Sequence, residues 1–329
     1  MQIIQKLFAY VCLTVTTGLV LIQVAPVFAQ GFPSKPIKLV LPYPPGGSLD
    51  VFARALADGL RPLVNQTVVV ENKPGAGGTI AGAYVAQSPN DGYTLFVADV
   101  GPLTMARAIY KSQGFDSVKD LDPITLGSFA TLTVAVNPSL RAKTVKDLIA
   151  LAKAQPKKIN FSSAGSGTII HMAGELFKFM AGVELQHVAY KGGGAAATAL
   201  MSGEVQVGFP SLPSILQLAQ AGKVRILAVT QAKRSTLAPE IPTVAEAGVP
   251  GYEVVQWQAI VAPKGTPKDV ISRLNKDIVT VLNKPDVKAR LATQGLDVAT
   301  STPGELGTMM QSEAKKWENV VKRAHISAQ

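Results

Sequence analysis

The sequence predicts an α/β fold of two lobes, in which each lobe is a mostly parallel sheet flanked by helices. Short β-branched runs alternate with helical patterns along almost the whole chain, and this alternation is typical of βα units. The chain has 329 residues, which is more than one hydrophobic core usually serves and suggests two domains. Long extended segments near Asn137 and over 252–263 would cross twice between the lobes and form a hinge.

The first predicted element is an export signal. Lys6 is the single charged side chain before an apolar run from Leu7 to Val27, and a small-x-small-like motif ends at Ala29. We therefore expect a signal peptide over residues 1–29 that is cleaved after Ala29. The alternative is an uncleaved anchor, because the run is about long enough to span a bilayer. Cys12, the one cysteine, lies in this segment, so the exported chain would form no disulfide.

The predicted strands are short runs rich in β-branched residues, bounded by turn-forming residues. They are Ile37–Leu41, Thr67–Val70, Thr94–Ala98, Leu132–Val136, Ile159–Ser162, Leu185–Tyr190, Val205–Phe209, Val224–Val229 and Val254–Val261.

Helices are predicted between these strands. The first follows Gly47 with Ser48 as its cap, and its apolar residues recur at helical spacing. Those residues are Leu49, Phe52, Leu56, Leu60 and Leu63. Later helix starts are predicted by capping boxes, in which a threonine is followed three residues later by an acid. The pairs are Thr144 with Asp147, Thr243 with Glu246, Thr266 with Asp269, and Thr302 with Glu305.

The two extended crossings divide the predicted elements into lobes. We expect lobe one to comprise residues 34–133 plus 258–329 and lobe two to comprise residues 134–257. The formal net charge is +10, but the basic residues are scattered singly and are not interleaved with aromatic residues. This distribution predicts a solvated surface that attracts anions and no binding of nucleic acid.

Glycine-rich loops follow several of the strands and open helices. They are 44–48, 75–79, 163–168 and 191–194. In an open α/β sheet such loops gather at the carboxyl ends of the strands, where free backbone N–H groups attract an anion. One such loop alone is commonly a tight turn, but several with Ser and Thr beside them favour a carboxylate site. Nucleotide binding is disfavoured, because Ile80 stands where a dinucleotide fingerprint needs glycine and the chain has no P-loop motif.

The sequence gives little support to catalysis, and it predicts no cofactor and no metal. The histidines are His171, His187 and His325, and none belongs to a known catalytic motif. His171 could face the cleft or serve a structural role by bonding to backbone. An enzyme, such as a hydrolase that uses Ser166 and His171, is the alternative from a different functional class.

Three further residues are candidates for contact with a ligand. Asp99 follows an apolar strand, so its carboxylate would repel a simple acid but pair with a ligand amine. The alternative is that Asp99 caps a helix or forms a turn. Gln256 and Trp257 lie on the second crossing, where they could line the pocket or pack the hinge.

Several longer motifs make the sequence similar to the Bug-type solute receptors of tripartite tricarboxylate transport systems. The resemblance runs from about Pro33 to Ala324. The stretches that carry it are 42–47, 71–78, 171–177, 187–192 and, above all, 237–252 followed by Trp257 and 262–267.

The resemblance implies a type II-like periplasmic binding protein with two crossover strands. Such receptors close their lobes on a ligand, partly through ordered waters, and present it to membrane subunits. The positions that match the family's ligand-binding loops are Gly46, Gly47, Ser48, Ala76, Gly77, Gly78, Ser163, Ser166, Thr168, Tyr190 and Ser211.

The sequence does not determine the ligand class or the partner. The segment from Asp99 to Arg107 departs from the Thr/Ser-rich segment of many relatives, and it helps to set ligand choice. The resemblance therefore implies a dicarboxylate, an amino acid, a citrate-like acid or an aromatic acid. The expected protein partner is the membrane subunits of a transporter or, alternatively, a sensor protein, and the receptor itself is expected to be a monomer.

Overall fold

The computed structural model describes residues 31–110, 114–235, 237–323 and 326. The predicted signal peptide with Cys12, the cleavage point at Ala29 and His325 lie outside the described residues. The chain divides into a short unit, Met1–Ser34, and a large unit, Lys35–Gln329. All elements named below belong to the large unit. Within the described ranges, no helix is both long and apolar enough to cross a membrane.

The strands of the described residues form two sheets. In chain order they are β1 (Ile37–Leu41), β2 (Val68–Asn72), β3 (Thr94–Asp99), β4 (Leu121–Ala130), β5 (Thr133–Val136), β6 (Asn160–Ser163), β7 (Gln186–Ala189), β8 (Val207–Gly208), β9 (Arg225–Val229), β10 (Gln256–Pro263) and β11 (Leu296–Val298).

The helices connect and cover these strands. They are α1 (Ser48–Val64), α2 (Thr79–Ala86), α3 (Ala106–Ile109), α4 (Val145–Ala154), α5 (Ile169–Ala181), α6 (Gly193–Ser202), α7 (Leu212–Gln220), α8 (Lys268–Leu282), α9 (Pro285–Ala292) and α10 (Pro303–Arg323). A single 3-10 turn, Ala76–Gly78, precedes α2, and a π-helical turn, Gly101–Met105, precedes α3.

Both sheets are mixed, whereas the sequence predicts mostly parallel ones. The first has the order β11-β4-β10-β3-β1-β2 and the second the order β7-β6-β8-β5-β9. Strands joined through helices pair in parallel, as β1 does with β2 and β3, and β6 with β7 and β8. The antiparallel pairs come from β10 and β11 in the first sheet and from β5 in the second. The predicted α/β class with two layered lobes is confirmed.

Two segments connect the sheets. Residues 131–132 join β4 to β5, and the longer stretch 230–255 joins β9 to β10. The strand β4 is missing from the sequence-based prediction. It contains Pro123 and Gly127, which interrupt a strand pattern, and its pairing with β10 has two irregularities in register.

The first helix is amphipathic, largely as its spacing predicts. Leu49, Phe52, Leu56 and Leu60 are buried, and burial of each stabilises the fold by about 1.5–3 kcal/mol. The last member of the predicted stripe, Leu63, is 39% exposed, so that part of the prediction is wrong.

The predicted helix caps have mixed outcomes. Thr144 and Asp147 form a capping box at the start of α4, and Thr302 and Glu305 exchange the same two bonds at α10. Thr243 and Glu246 also bond reciprocally, but they open a turn instead of a helix.

The caps predicted at Ser48 and Thr266 are wrong. Ser48 is the first residue of α1, and Gly47 precedes it without a side-chain cap. The Thr266 hydroxyl donates to the Pro263 carbonyl, and Pro267 takes the cap position of α8.

Candidate functional site

The first glycine loop leads from β1 into α1. Gly46 adopts a positive φ of 92°, and its N–H donates to Asp50 Oδ2 at 3.1 Å. Asp50 also accepts two bonds from Arg54, at 2.8 and 3.0 Å. Gly46 and Gly47 are exposed and Ser48 is half-buried. Because the first N–H groups of a helix have no acceptor within it, the positive end of α1 remains available to an anion.

The second glycine loop forms the 3-10 turn before α2. Ala76, Gly77 and Gly78 all have positive φ values, of 45°, 61° and 95°. The Thr79 hydroxyl donates to the Ala76 carbonyl at 2.9 Å and fixes the turn. A side chain at Gly77 would meet the Tyr110 hydroxyl, since a Cβ there would lie 2.5 Å from that oxygen. Glycine is therefore required for both conformation and space.

The third glycine loop, 163–168, leads from β6 into α5 and is held by its own hydrogen bonds. Ser163 Oγ is buried and accepts from the Gly165 N–H at 3.1 Å. The Thr168 hydroxyl donates to the Gly165 carbonyl at 2.7 Å, and Thr168 caps α5. The hydroxyls of Ser163 and Thr168 are thus turned into the loop, whereas Ser166 is half-buried.

Tyr110 connects the second and third loops. Its hydroxyl donates to the Ser166 carbonyl at 3.1 Å. Gly167 lies so close to it that a Cβ would be 2.9 Å from the same hydroxyl. One phenol therefore contacts loops that belong to different sheets. Tyr110 is not among the predicted ligand residues, because an isolated tyrosine outside any motif carries no signal of such a contact.

Asp99 lies beside this junction and is 3% exposed. Its Oδ1 accepts from the Tyr43 hydroxyl at 2.9 Å and from the Gly101 N–H at 3.1 Å. Burial raises the pKa of Asp99 to about 6, although these donors favour its charged form. A Cβ at Gly101 would be 3.2 Å from Asp99 Oδ1 and 3.5 Å from the Gly167 carbonyl. The carboxyl group therefore caps the Gly101 turn and also adjoins the third loop.

The second crossing places a glutamine near Asp99 and a tryptophan in the core. Gln256 is 9% exposed, and its nearby side chain lowers the pKa of Asp99. Trp257 is 1% exposed and packs in the hydrophobic core. Its indole N–H has no hydrogen-bond partner within the described part of the chain. The arrangement favours hinge packing for Trp257 over a pocket wall.

Two other predicted residues point their hydroxyls elsewhere. The Tyr190 hydroxyl donates to Glu204 at 2.7 Å, and burial together with this bond raises its pKa to about 12. Its backbone N–H still bonds to the Ser163 carbonyl at 3.0 Å. The Ser211 hydroxyl donates to Ser214 Oγ at 2.9 Å at the start of α7. The structure thus brings the second and third loops and Asp99 together, but not the side chains of Tyr190 and Ser211.

The hydrolase alternative lacks its central contact. His171 Nδ1 accepts from the Gly167 N–H at 3.2 Å, so it is already occupied. Among the described residues no hydrogen bond joins the side chains of Ser166 and His171. A serine nucleophile needs its base within hydrogen-bond reach.

A surface pocket of about 420 Å³ lies away from these loops, beside α7 and β9. None of the predicted ligand residues lines it.

Comparison with known proteins gives the family context. The family model described as "Tripartite tricarboxylate transporter family receptor" matches residues 52–326. Protein BugT of Bordetella pertussis is 36% identical over 299 residues, which cover 91% of this chain and 92% of BugT.

Solved structures agree with this match over nearly the whole chain. Rpa4515 of R. palustris with adipate has a TM-score of 0.84 and 34% identity, and the match covers 90% of this chain and 99% of that one. MatC from Rhodopseudomonas palustris with bound malate has a TM-score of 0.81 and 28% identity, over 88% of this chain and 100% of that one.

Proposed function

Because the chain belongs to the tripartite tricarboxylate transporter receptor family, whose members are periplasmic solute-binding receptors and not enzymes, we propose that it captures a small carboxylate-bearing solute between two lobes. It then presents the solute to the membrane subunits of a tripartite tricarboxylate transporter. The lobes are residues 34–133 plus 258–329 and residues 134–257. The chain reaches the periplasm after cleavage behind Ala29.

One contact carries the proposal. The Tyr110 hydroxyl bonds to Ser166 in the third loop and adjoins Gly77 in the second, so a single side chain spans the cleft between the two sheets. Both loops precede helices, and the N–H groups at helix starts favour an anion. A carboxylate held there would contact both lobes and favour their closure.

The proposed ligand contacts follow from this placement. Backbone groups at Gly46, Gly47, Ser48 and at 76–78 would serve one lobe, and Ser166 would serve the other. Ser163, Thr168 and Tyr190 would hold the third loop in shape, because their hydrogen bonds are made within it. Gln256 and Asp99 would contact the part of the ligand that lies beyond the carboxylate held by the loops. Ser211, just before α7, would approach the ligand from that helix start.

The ligand is a dicarboxylate, an amino acid or an aromatic acid. Rpa4515 with adipate and MatC with malate, at 34% and 28% identity, support an acid with two carboxylates. Asp99 adds a feature that favours an amino group on the ligand, because an ionised carboxylate attracts an ammonium and repels another carboxylate.

Calorimetry of residues 30–329 tests the proposal. The protein would be unfolded and refolded to remove bound solute, then titrated with adipate, malate, L-aspartate, L-glutamate, citrate and benzoate. We expect saturable binding of at least one acid with one site per chain. Adipamide, which has the length of adipate without its charges, is the control and should not bind. Absence of saturable binding across the whole panel would refute the proposal.

A further inference from the structure

We propose that His171 and His187 are a pair of positioning residues that hold the third glycine loop in the shape that binds the ligand. The inference rests on the proposed function of that loop. Neither imidazole needs to touch the ligand, because both act through loop residues.

The two imidazole rings form hydrogen bonds with opposite ends of the loop. His187 Nε2 lies 2.6 Å from Ser163 Oγ, at the start of the loop. His171 Nδ1 accepts from the Gly167 N–H at 3.2 Å, near its end. The ring centroids are 4.1 Å apart, so the two imidazoles pack against each other and a shift of one ring would disturb the other. Phe161 packs against both rings, with centroids 6.4 Å from His171 and 5.0 Å from His187.

Gly167 connects the histidine pair to the proposed cleft. Its φ is +80°, a conformation that other residues rarely adopt, and its carbonyl lies 3.5 Å from a Cβ built at Gly101. Ser166, immediately before it, accepts the bond from Tyr110. A change in how His171 holds Gly167 would therefore displace the backbone that contacts the other lobe.

The hydrogen bond from Gly167 specifies the state of His171. An N–H can donate only to an unprotonated ring nitrogen, so His171 must be neutral with its proton on Nε2. That nitrogen faces Glu175 Oε1 at 3.8 Å. Glu175 is in turn paired with Lys178 at 2.8 Å, so its charge is already balanced.

The surroundings keep both rings neutral. Burial lowers the pKa of His171 to about 3 and that of His187 to about 4, and Lys178 adds a repulsive positive charge in both cases. The groups that face the pair are thus Glu175, Lys178 and Ser163. We therefore expect both histidines to be neutral, and His171 Nδ1 to accept the Gly167 N–H, throughout the pH range in which a periplasmic receptor works.

The test uses substitutions that keep or remove the hydrogen-bonding group of each ring. His171→Asn retains an acceptor near Nδ1, and His187→Gln retains an amide that can donate to or accept from Ser163 Oγ, whereas leucine at either position removes the hydrogen bond. We expect the leucine variants to bind adipate, or whichever acid of the panel binds wild type, about tenfold more weakly or worse. The Asn and Gln variants should stay within about threefold of wild type. Circular dichroism and melting temperature would verify that all four variants fold.

A second measurement does not depend on the ligand. In NMR spectra of isotope-labelled protein, His171 should carry its proton on Nε2 between pH 5 and 8. The imidazole is neutral over this range, because its pKa is lowered to about 3. Amide exchange at Gly167 should speed up in His171→Leu and remain slow in His171→Asn.

The two readouts separate the possible failures. If wild type binds no acid but Gly167 exchange responds as expected, the proposed function fails while the support of the loop stands. If leucine variants bind an acid as tightly as wild type, or if Gly167 exchange is unchanged in His171→Leu, the positioning role is wrong.

Discussion

At the scale of single residues, the buried carboxyl group of Asp99 bears most directly on the proposed choice of ligand. Its carboxyl group is buried beside the third glycine loop and is held by Tyr43 and the Gly101 N–H. These donors provide the carboxylate with hydrogen bonds without any ligand. Asp99 thus acts as a cap of the turn at Gly101, which is one of the two roles that the sequence suggests for it. A ligand bound in the proposed cleft would interact with this charge, since Coulomb interactions are strong where water is excluded.

Asp99→Asn should change specificity more than folding, because the asparagine Oδ1 can still accept from Tyr43 and Gly101. We expect affinity for an amine-bearing acid such as L-aspartate to fall by roughly 1.5–3 kcal/mol. Affinity for a simple dicarboxylate such as adipate should remain or improve. Calorimetry with both probes on wild type and variant measures the difference. Equal losses for both would show that Asp99 acts on the fold and not on the ligand.

Asp99 also predicts a pH dependence of stability. Its pKa is raised from 3.8 to about 6 in the fold, so the folded state binds the proton more tightly than the unfolded state does. The contribution of Asp99 is therefore fully present below pH 3.8 and is lost as the pH rises through about 6. Relative to wild type, Asp99→Asn should gain free energy of unfolding between pH 4 and 7, measured in urea. A difference between the two proteins that does not vary with pH would contradict this assignment.

At the scale of elements, the sequence predicts correctly those helix starts that depend on hydrogen bonds between residues close in the chain. The capping boxes at Thr144 and Thr302 form as expected, since each is complete within four residues. The bonds of Thr243 form as well, but Gly248 with a φ of +123° and Pro250 follow, so the segment forms a turn and no helix. The strand β4 escaped prediction, because pairing with β10 and β11 on both sides overrides its proline and glycine.

The glycine loops were predictable but their contacts were not. Glycines after strands, with Ser and Thr beside them, are visible in the sequence, and they do open helices α1, α2 and α5. The bond that joins Tyr110 to Ser166 links residues 56 positions apart. No periodicity or local motif encodes a contact of that kind, so Tyr110 could be found only from the packed structure.

Gly77→Ala tests the space next to Tyr110. Gly182 is the matched control, because its φ of 63° resembles the 61° of Gly77 and no atom of the described residues lies within 4 Å of a Cβ there. Alanine at 182 should cost only the left-handed conformation, about 1–2 kcal/mol. Alanine at 77 should cost about 1–3 kcal/mol more, from the clash with Tyr110. Urea unfolding gives both values, and equal costs would show that Tyr110 does not constrain the loop.

At the scale of the whole molecule, the proposed cleft lies between the two mixed sheets. Two crossing segments join the sheets, and Tyr110 adds a hydrogen bond between their loops at 3.1 Å. We propose that the crossings form the hinge, whereas the loops and Tyr110 set how favourable closure of the lobes is. A ligand that contacts both loops shifts the balance by its preference for the closed arrangement.

Tyr110→Phe should weaken closure without disturbing either sheet. The hydroxyl contributes about 0.5–1.5 kcal/mol, so bound acid should dissociate roughly two- to tenfold faster in stopped-flow measurements. Tyr84→Phe is the control, because its hydroxyl bonds to Lys38 on an exposed surface. Unchanged dissociation in Tyr110→Phe would remove the contact from the closing mechanism.

Native mass spectrometry of the protein purified from periplasm would identify any solute that the proposed cleft holds. We expect one small molecule per chain that carries at least one carboxylate and that exchanges with acids of the calorimetry panel. A bound molecule without a carboxylate, or an empty protein that binds none of those acids, would contradict this expectation.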